Sequence, residues 1–152
     1  MEESKPRSLS KPIGYWLKHL DALIDADFER ALAGSGLTRR HWQVLNSLTA
    51  APCRTDELSA ALLPFWGEGA ITLDEVLVSL RGRGWAGRVE GEGGDGRWAL
   101  TPLGAEGRAE AAGWVGATRR RLMDGVTAEQ YHETVRVLSR MAANLEAAPP
   151  AA

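Results

Sequence analysis

The stretch from Gly84 to Gly104, GWAGRVEGEGGDGRWALTPLG, constrains the fold more than any other part of the chain. Residues 86–90 and 97–101 have the length of short strands, and the turn between them, residues 91–96, is rich in glycine and acidic residues. Pro102 stands where a helix can begin, because its fixed φ suits the first helical position. The sequence therefore predicts a β-hairpin followed directly by a helix.

Helical patterns precede the hairpin. Apolar residues recur at helical spacing over residues 13–32, which predicts a first helix of about five turns. Thr38 is suited to cap a second helix, since its hydroxyl can accept a hydrogen bond from a free backbone N–H. Thr55 is predicted to cap a short third helix over residues 56–63, which Pro64 stops.

A fourth helix is predicted directly before the hairpin. Thr72 and Glu75 have the spacing of a capping box, in which each side chain bonds the backbone N–H of the other. The helix is expected to run to Arg83 and to end at Gly84. Its inward side is expected to consist of Val76, Leu77 and Leu80.

Two further helices are predicted after the hairpin. The first extends over residues 102–123, and Thr127 and Gln130 form a second capping-box pattern before the last helix. The apolar residues of that last helix are spaced 4, 3, 4, 3 from Tyr131 to Leu145. A stripe of this kind needs a partner helix to cover it.

The order of elements predicts a mainly α fold with a small β-hairpin wing. Residues 38–104 would form a winged helix-turn-helix unit within a single domain over residues 13–147. The flanking segments, 13–33 and 105–147, carry more apolar surface than this unit can cover, which predicts that they are dimerisation helices of a homodimer. Residues 1–12 and 148–152 are expected to be a disordered N-terminal tail and a frayed C-terminal tail.

Composition narrows the function classes. No apolar run approaches the length of about 20 residues that a membrane-spanning helix requires. The polar N-terminus predicts a cytoplasmic location. The single cysteine, Cys53, cannot form an intrachain disulfide or a cysteine-based zinc cluster. No catalytic motif is present, so the protein is expected not to be an enzyme and to need neither metal nor cofactor.

Several motifs, in this order and spacing, resemble the MarR family of bacterial transcriptional regulators. The resemblance covers residues 13–145. The residues that carry it are Leu37-Thr38-x-x-x-Trp42-x-Val44-Leu45, Asp56-Glu57-Leu58-Ser59-x-x-Leu62, Leu80-x-x-x-Gly84-Trp85, Asp95-Gly96-Arg97 and Leu100-Thr101-Pro102-Leu103-Gly104.

The resemblance implies an obligate dimer that binds a double-stranded DNA operator, with residues 70–83 as the recognition helix. Such a helix enters the major groove and reads base edges. The candidate DNA-binding residues are Arg39, Arg40, Arg54, Thr72, Asp74, Glu75, Ser79, Arg83, Arg88 and Arg97.

Charge opposes this interpretation in part. Residues 38–104 hold seven basic and eight acidic residues, and electrostatic attraction to phosphate supplies much of DNA affinity. Asp74 and Glu75 are expected to stabilise the helix N-terminus, and one of them could accept a hydrogen bond from cytosine N4, either instead of that role or together with it. Arg97 matches the family's wing arginine, which suggests a minor-groove or phosphate contact, but it could equally form an ion pair with Asp95.

The resemblance also implies a small aromatic ligand that weakens DNA binding. Candidate ligand-binding residues are Trp16, His19, Leu20, Trp42, Phe65 and Trp66. A tryptophan at helical spacing more often packs in a core than forms part of a ligand site, and Cys53 is expected to be an unreactive thiol. The function predicted first is a ligand-responsive repressor. The alternative is a ligand- or protein-binding module of the same fold with weak or lost DNA binding.

Overall fold

The computed structural model describes residues 10–90 and 96–150. Within these ranges the chain forms six α-helices and one hairpin, as predicted. The elements are α1 (Ile13–Leu32), α2 (Arg39–Ala50), α3 (Thr55–Leu62), α4 (Leu73–Gly82), β1 (Ala86–Glu90), β2 (Gly96–Leu100), α5 (Pro102–Leu122) and α6 (Ala128–Glu146). Most of the predicted N-terminal tail, the hairpin turn with Asp95 and the last two residues lie outside the described residues.

The chain divides into two compact units, Met1–Thr118 and Arg119–Ala152. In the first unit, the main core lies between α2, α3, α4 and the hairpin. Its buried residues are Val44, Leu45, Leu48, Leu58, Leu73, Val76, Leu77, Leu80, Ala86 and Trp98. A second cluster joins the end of α1 to α5 and consists of Leu32, Leu37, Ala111 and Val115. The three aliphatic residues predicted on the inner side of α4 are therefore confirmed as core.

Side-chain caps explain where the helices begin. The predicted caps Thr38, Thr72 and Thr127 are confirmed. The prediction for Thr55 is wrong by one position, because α3 begins at Thr55 and Arg54 is the cap residue. There the Glu57 carboxylate accepts a hydrogen bond from the Arg54 backbone N–H at 3.0 Å. The Thr55 hydroxyl instead accepts a hydrogen bond from Trp98 Nε1 at 3.1 Å.

The hairpin is antiparallel, with Ala86 opposite Leu100 and Arg88 opposite Trp98. Strand β2 begins and ends one residue earlier than predicted. Cys53 extends the hairpin on its other edge, since its backbone N–H and carbonyl both bond Trp98, with N···O distances of 2.9 and 2.7 Å. The base of the hairpin is thereby attached to the segment that leads into α3.

The Leu-Thr-x-x-Gly pattern after the hairpin has a structural explanation. The Thr101 hydroxyl donates a hydrogen bond to the Gly84 carbonyl at 2.5 Å and accepts one from the Gly104 N–H at 3.0 Å. A Cβ atom at Gly104 would overlap the Trp85 carbonyl oxygen, and one at Gly107 would overlap the Trp85 ring. Glycine at both positions therefore lets α5 lie directly against Trp85.

Both terminal helices expose apolar side chains. In the first unit, α1 exposes Ile13, Leu17, Leu20 and Leu23, and only Leu32 is fully buried. In the second unit, α6 exposes Val135, Met141 and Leu145 and has no fully buried residue. Within the described residues, no helix is long and apolar enough to span a membrane.

Candidate nucleic-acid interface

Helix α4 has one buried and one exposed side. Leu73, Val76, Leu77 and Leu80 are buried, whereas the exposed residues are Asp74, Glu75, Val78, Arg81 and Gly82. Val78 lies near the centre of the exposed side and is 70% exposed. The exposed face of α4 is therefore acidic in its first turn, apolar in its middle and basic near its end.

The two acids on α4 are in different situations. The Glu75 carboxylate accepts a hydrogen bond from the Thr72 hydroxyl at 3.0 Å, and the same hydroxyl accepts one from the Glu75 N–H at 3.2 Å. The capping role is thus confirmed for Glu75. The Asp74 carboxylate has no hydrogen bond or ion pair within the described part of the chain. Asp74 is therefore the acid that is free to accept a hydrogen bond from a ligand.

The helical spacing predicted that Ser79 lies on the exposed face of α4, and this prediction is wrong. Ser79 is half-buried, and its hydroxyl lies 3.1 Å from Nε2 of His41 on α2. His41 is only 2% exposed. Its Nδ1 accepts a hydrogen bond from the Thr38 backbone N–H at 3.0 Å, so the ring proton is on Nε2 and is donated to Ser79. Ser79 therefore links α4 to the start of α2, and its DNA contact stays an untested prediction.

His41 is held in its neutral form. Burial, aided by the nearby positive charge of Arg83, lowers its pKa from 6.5 to about 4. A charged imidazolium would carry a proton on Nδ1 and would lose the hydrogen bond from Thr38. The neutral ring is thus part of the connection between α2 and α4.

Arg40 holds the segment that leads into α4. Its guanidinium donates hydrogen bonds to the carbonyls of Ile71 and Gly67, at 2.8 and 2.6 Å. It also lies 4.7 Å from the centre of the Trp66 ring, a cation–π distance. Arg40 thereby fixes the residues immediately before the Thr72 cap.

Arg83 holds the other end of α4. Its Nη2 donates a hydrogen bond to the Ser35 carbonyl at 2.8 Å, and its guanidinium lies 5.3 Å from the Trp85 ring. Gly36, with a φ of +73°, leaves room for it, because a Cβ there would lie 2.9 Å from Nη2. Arg40, His41 and Arg83 together connect α4 to the α1–α2 region at its start, middle and end.

Two other predicted DNA-binding arginines form ion pairs with neighbouring acids. Arg39 donates a hydrogen bond to Asp21 on α1 at 3.0 Å. Arg54 donates one to Asp56 at 3.0 Å, and this bond lowers the pKa of Asp56. A DNA contact by either arginine stays a prediction, and it would have to compete with these pairs.

The wing presents the other two arginines. Arg88 is exposed and lies 5.0 Å from the centre of the Trp98 ring, which is itself 5% exposed. Arg97 is exposed and has no ion pair with any residue in the described ranges. The predicted pair between Arg97 and Asp95 lies outside the described residues. The Arg97 guanidinium therefore has no partner among the described residues, whereas the Arg88 guanidinium, although exposed, packs over the Trp98 ring of the same anchored hairpin.

The sequence interpretation missed Val78 and Arg81 on the exposed face of α4. Both could have been found from helical spacing, since Val78 follows Asp74 by four residues and Arg81 follows it by seven. It also missed the bonds from Arg108 on α5 to Asn46 on α2, at 3.2 and 3.0 Å. No local pattern in the sequence marks that contact.

The candidate ligand-binding residues fall into separate groups. Trp16 and His19 on α1 form a ring cluster with Tyr15. Leu20, one helical turn after Trp16, is exposed. Trp42 packs against the α1–α5 cluster, under Arg108. Trp66 packs against the main core and donates to Gln43 at 2.7 Å, whereas Phe65 beside it is 82% exposed. A shared ligand site for these residues stays a prediction.

Cys53 has the surroundings of an unreactive thiol. It is half-buried, and its Sγ lies 3.3 Å from the Ala51 carbonyl. Burial and the negative charge of Glu57 raise its pKa, against a smaller lowering by Arg97. A thiol with a raised pKa holds less of the reactive thiolate at neutral pH.

Comparisons with solved structures identify the fold. The chain superposes on the transcriptional repressor CouR bound to a 23-mer DNA duplex, with a TM-score of 0.71, 26% identity, and coverage of 93% of this chain and 99% of that one. It matches a Mycobacterium tuberculosis MarR-family protein in complex with p-aminosalicylic acid, with a TM-score of 0.65, 25% identity, and coverage of 87% and 99%.

A MarR-family regulator from Rhodococcus gives a TM-score of 0.71 at 20% identity, with coverage of 91% and 98%. No family model matches the sequence, and no curated protein matches it significantly. The solved structures named here are transcriptional regulators rather than enzymes. They confirm the resemblance that the motifs indicated: the chain has the winged helix-turn-helix fold of the MarR-family transcriptional regulators.

Proposed function

We propose that this protein is a homodimeric, sequence-specific DNA-binding regulator of transcription, and specifically a repressor that a small aromatic ligand releases from its operator. The observation that carries the proposal is a helix held at both ends, followed by a wing whose Arg88 and Arg97 are exposed. A fixed helix can enter a major groove, and cationic wing side chains suit phosphates or a minor groove. The DNA duplex bound to CouR supports this assignment.

The dimer is supported by the apolar side chains that α1 and α6 each expose. A dimer would place two recognition helices about 34–36 Å apart, the spacing of successive major grooves on one face of DNA.

Leu20→Glu tests the dimer, because Leu20 is 45% exposed in the single chain. Leu63, also 45% exposed but on the turn after α3, gives the matched control Leu63→Glu. Sedimentation should show a monomer for the first variant only. A dimeric Leu20→Glu protein would remove α1 from the interface.

The ligand proposal rests on the aromatic side chains of α1 and on the p-aminosalicylic acid bound by the Mycobacterium tuberculosis protein. That compound is therefore the probe. It should quench tryptophan fluorescence and weaken operator binding, and Trp16→Ala should reduce both effects. Quenching without any change in DNA binding would contradict a ligand-released repressor.

One set of observations favours the alternative, a module of this fold with weak or lost DNA binding. The first turn of α4 is acidic, and Arg39, Arg40, Arg54 and Arg83 bond within the protein. Carboxylates are repelled by phosphates. The wing and Arg81 would then be the main remaining sources of attraction to DNA.

A DNA titration separates the two functions. The full chain is titrated with duplex from its own promoter region and with random duplex, each at two salt concentrations. A repressor should bind the promoter duplex more tightly than the random duplex, and both affinities should fall as salt rises. Equal, weak binding to both duplexes would support the module and would overturn the proposed function.

A further inference from the structure

The exposed face of α4 combines two features that phosphate binding does not explain. Val78 is 70% exposed, whereas the other aliphatic side chains of the helix are at most 5% exposed. Asp74, one helical turn earlier on the same face, has a carboxylate without a partner in the described chain. Neither an apolar side chain nor an anion is attracted by the phosphates of the DNA backbone. What they can contact in a major groove is the base edges.

We infer that α4 reads two pyrimidines in the major groove: Val78 contacts the C5-methyl group of a thymine, and Asp74 accepts a hydrogen bond from the amino group of a cytosine. The inference rests on the proposed function and adds to it the bases that the helix selects. It also assigns to Val78 a role that the motif comparison did not reveal.

Complementary chemistry selects the thymine. The thymine methyl is the apolar group that the four base pairs present in the major groove, and it suits an apolar side chain. Val78 offers no donor or acceptor that could bind another edge. Its two γ-methyl groups have limited rotamer freedom, so little side-chain entropy is lost on contact.

The same reasoning selects cytosine for Asp74. Both cytosine N4 and adenine N6 are major-groove donors, but adenine places the N7 acceptor beside its amino group. A carboxylate only accepts hydrogen bonds, so N7 would repel it. Asp74 is chosen over Glu75 because one oxygen of the Glu75 carboxylate is held in the Thr72 cap, which restricts that side chain, whereas Asp74 has no such bond.

The spacing of the two side chains fits successive bases. Four residues advance about 6 Å along a helix, and stacked bases are about 3.4 Å apart on one strand. Val78 and Asp74 can therefore reach pyrimidines that lie one or two steps apart.

The test uses the shortest duplex that the full chain selects from a random-sequence library. Each thymine is replaced in turn by deoxyuridine, which removes only the methyl group. We expect one thymine in each half-site at which this replacement weakens binding. The loss should be roughly fourfold, which corresponds to the free energy of burying one methyl-sized group. Val78→Ala should bind the thymine and deoxyuridine duplexes equally. The control Val126→Ala, at an exposed valine outside the winged unit, should keep the difference.

A second variant tests the cytosine contact. Asparagine can donate to N7 and accept from N6 of adenine, so Asp74→Asn should change the preferred base at one position from cytosine to adenine. A general loss of affinity from damaged structure would not produce such a change.

The outcomes distinguish the inference from the proposed function. If no duplex is selected, the proposed function fails. The inference is overturned, while the function stands, if a duplex is selected but no replacement of thymine by deoxyuridine weakens binding. The same holds if the replacement weakens binding of Val78→Ala as much as binding of the wild type. Self-association that is lost in Val78→Ala without DNA present would also overturn it, by assigning this face to a second copy of the chain.

Discussion

The arginines of α2 and the end of α4 differ from those of the wing. Arg40 and Arg83 donate to backbone carbonyls and lie over tryptophan rings. Arg88 also lies over a tryptophan ring, that of Trp98, but Arg88 and Arg97 are exposed and neither has a side-chain hydrogen bond or ion pair with a described residue. The first pair fixes the position of α4, whereas the second pair is the one to which the proposed function assigns contact with phosphate. Equal formal charges thus stabilise the fold in one region and, under the proposed function, bind DNA in the other.

This difference changes how the near-neutral charge of the winged unit should be interpreted. A count of arginines overstates the cationic surface, because several of them satisfy carbonyls or carboxylates within the protein. Under the proposed function, attraction to DNA then depends on the wing and on Arg81, and selection of bases depends on the rest of the exposed face of α4, which carries no positive charge. The two regions can therefore be tested separately, by stability for the first and by affinity and salt dependence for the second.

The largest expected effect concerns the buried contact between α2 and α4. His41 has a pKa of about 4 in the folded protein, against an ordinary histidine pKa of 6.5. Between these pH values the unfolded chain binds more protons, so stability rises with pH. The contribution is fully present above about pH 6.5 and is lost as pH falls to about 4. Its total is about 3 kcal/mol, since one pKa unit corresponds to about 1.4 kcal/mol.

The measurement is urea unfolding of the wild type and of His41→Gln across this pH range. Glutamine suits the capping-box position and does not titrate, so subtracting the two curves removes the contribution of the acids. The free-energy difference between the two proteins should change by about 3 kcal/mol from neutral pH to pH 4. Parallel curves would contradict a buried, neutral His41.

The second largest effect is expected for Arg40→Ala. The substitution removes two charge-assisted hydrogen bonds and a cation–π contact. A hydrogen bond to a charged group contributes about 1.5–3 kcal/mol, but the bond to Gly67 is exposed and is expected to add little to the part-buried bond to Ile71. We expect a loss of about 2 kcal/mol in the free energy of unfolding, measured by urea titration. Arg40→Lys should be intermediate, because an ammonium cannot span both carbonyls as a guanidinium does. A variant as stable as the wild type would show that the start of α4 is held by other contacts.

Much of the fold was predictable because its signals are local. The caps Thr72 and Thr127, Pro102 at the start of α5 and Gly84 at the end of α4 each act within a few residues. Thr55 was misassigned because its hydroxyl bonds a tryptophan 43 residues away instead of its own helix. Local helix-capping preferences cannot reveal a partner at that separation in the sequence.

The site was less predictable for the same reason. Arg40 bonds the carbonyls of residues 27 and 31 positions further along the chain, and Arg83 bonds a carbonyl 48 positions before it. A backbone carbonyl has no side chain that a sequence pattern could reveal. Sequence therefore identified which residues are charged, but the division into structural and exposed arginines required the tertiary structure.

The third effect is on DNA affinity alone. Arg97→Ala should leave the free energy of unfolding within about 0.5 kcal/mol of the wild-type value, since exposed side chains contribute little to stability. It should weaken operator binding several-fold and reduce the slope of log K against log salt by about 1, as expected for one lost phosphate contact. Arg120→Ala, an equal charge change outside the winged unit, is the control. If both variants weaken binding equally, the wing has no special role.

The smallest effect is expected for Arg39. Its substitution tests whether this residue belongs with the arginines that stabilise the fold or with the exposed arginines of the wing. Arg39 is half-buried, but its partners are exposed carboxylates rather than carbonyls, with Asp21 at 3.0 Å and Asp25 at 3.9 Å. Exposed ion pairs contribute about 0.2–1 kcal/mol, so Arg39→Ala and Asp21→Ala should each lower stability by a few tenths of a kcal/mol. If Arg39 serves only to join α2 to α1, operator affinity should be unchanged in both variants. If Arg39 is instead held away from DNA by Asp21, Asp21→Ala should tighten operator binding and Arg39→Ala should weaken it. That opposite pair of changes would move Arg39 from the structural group to the group that binds DNA.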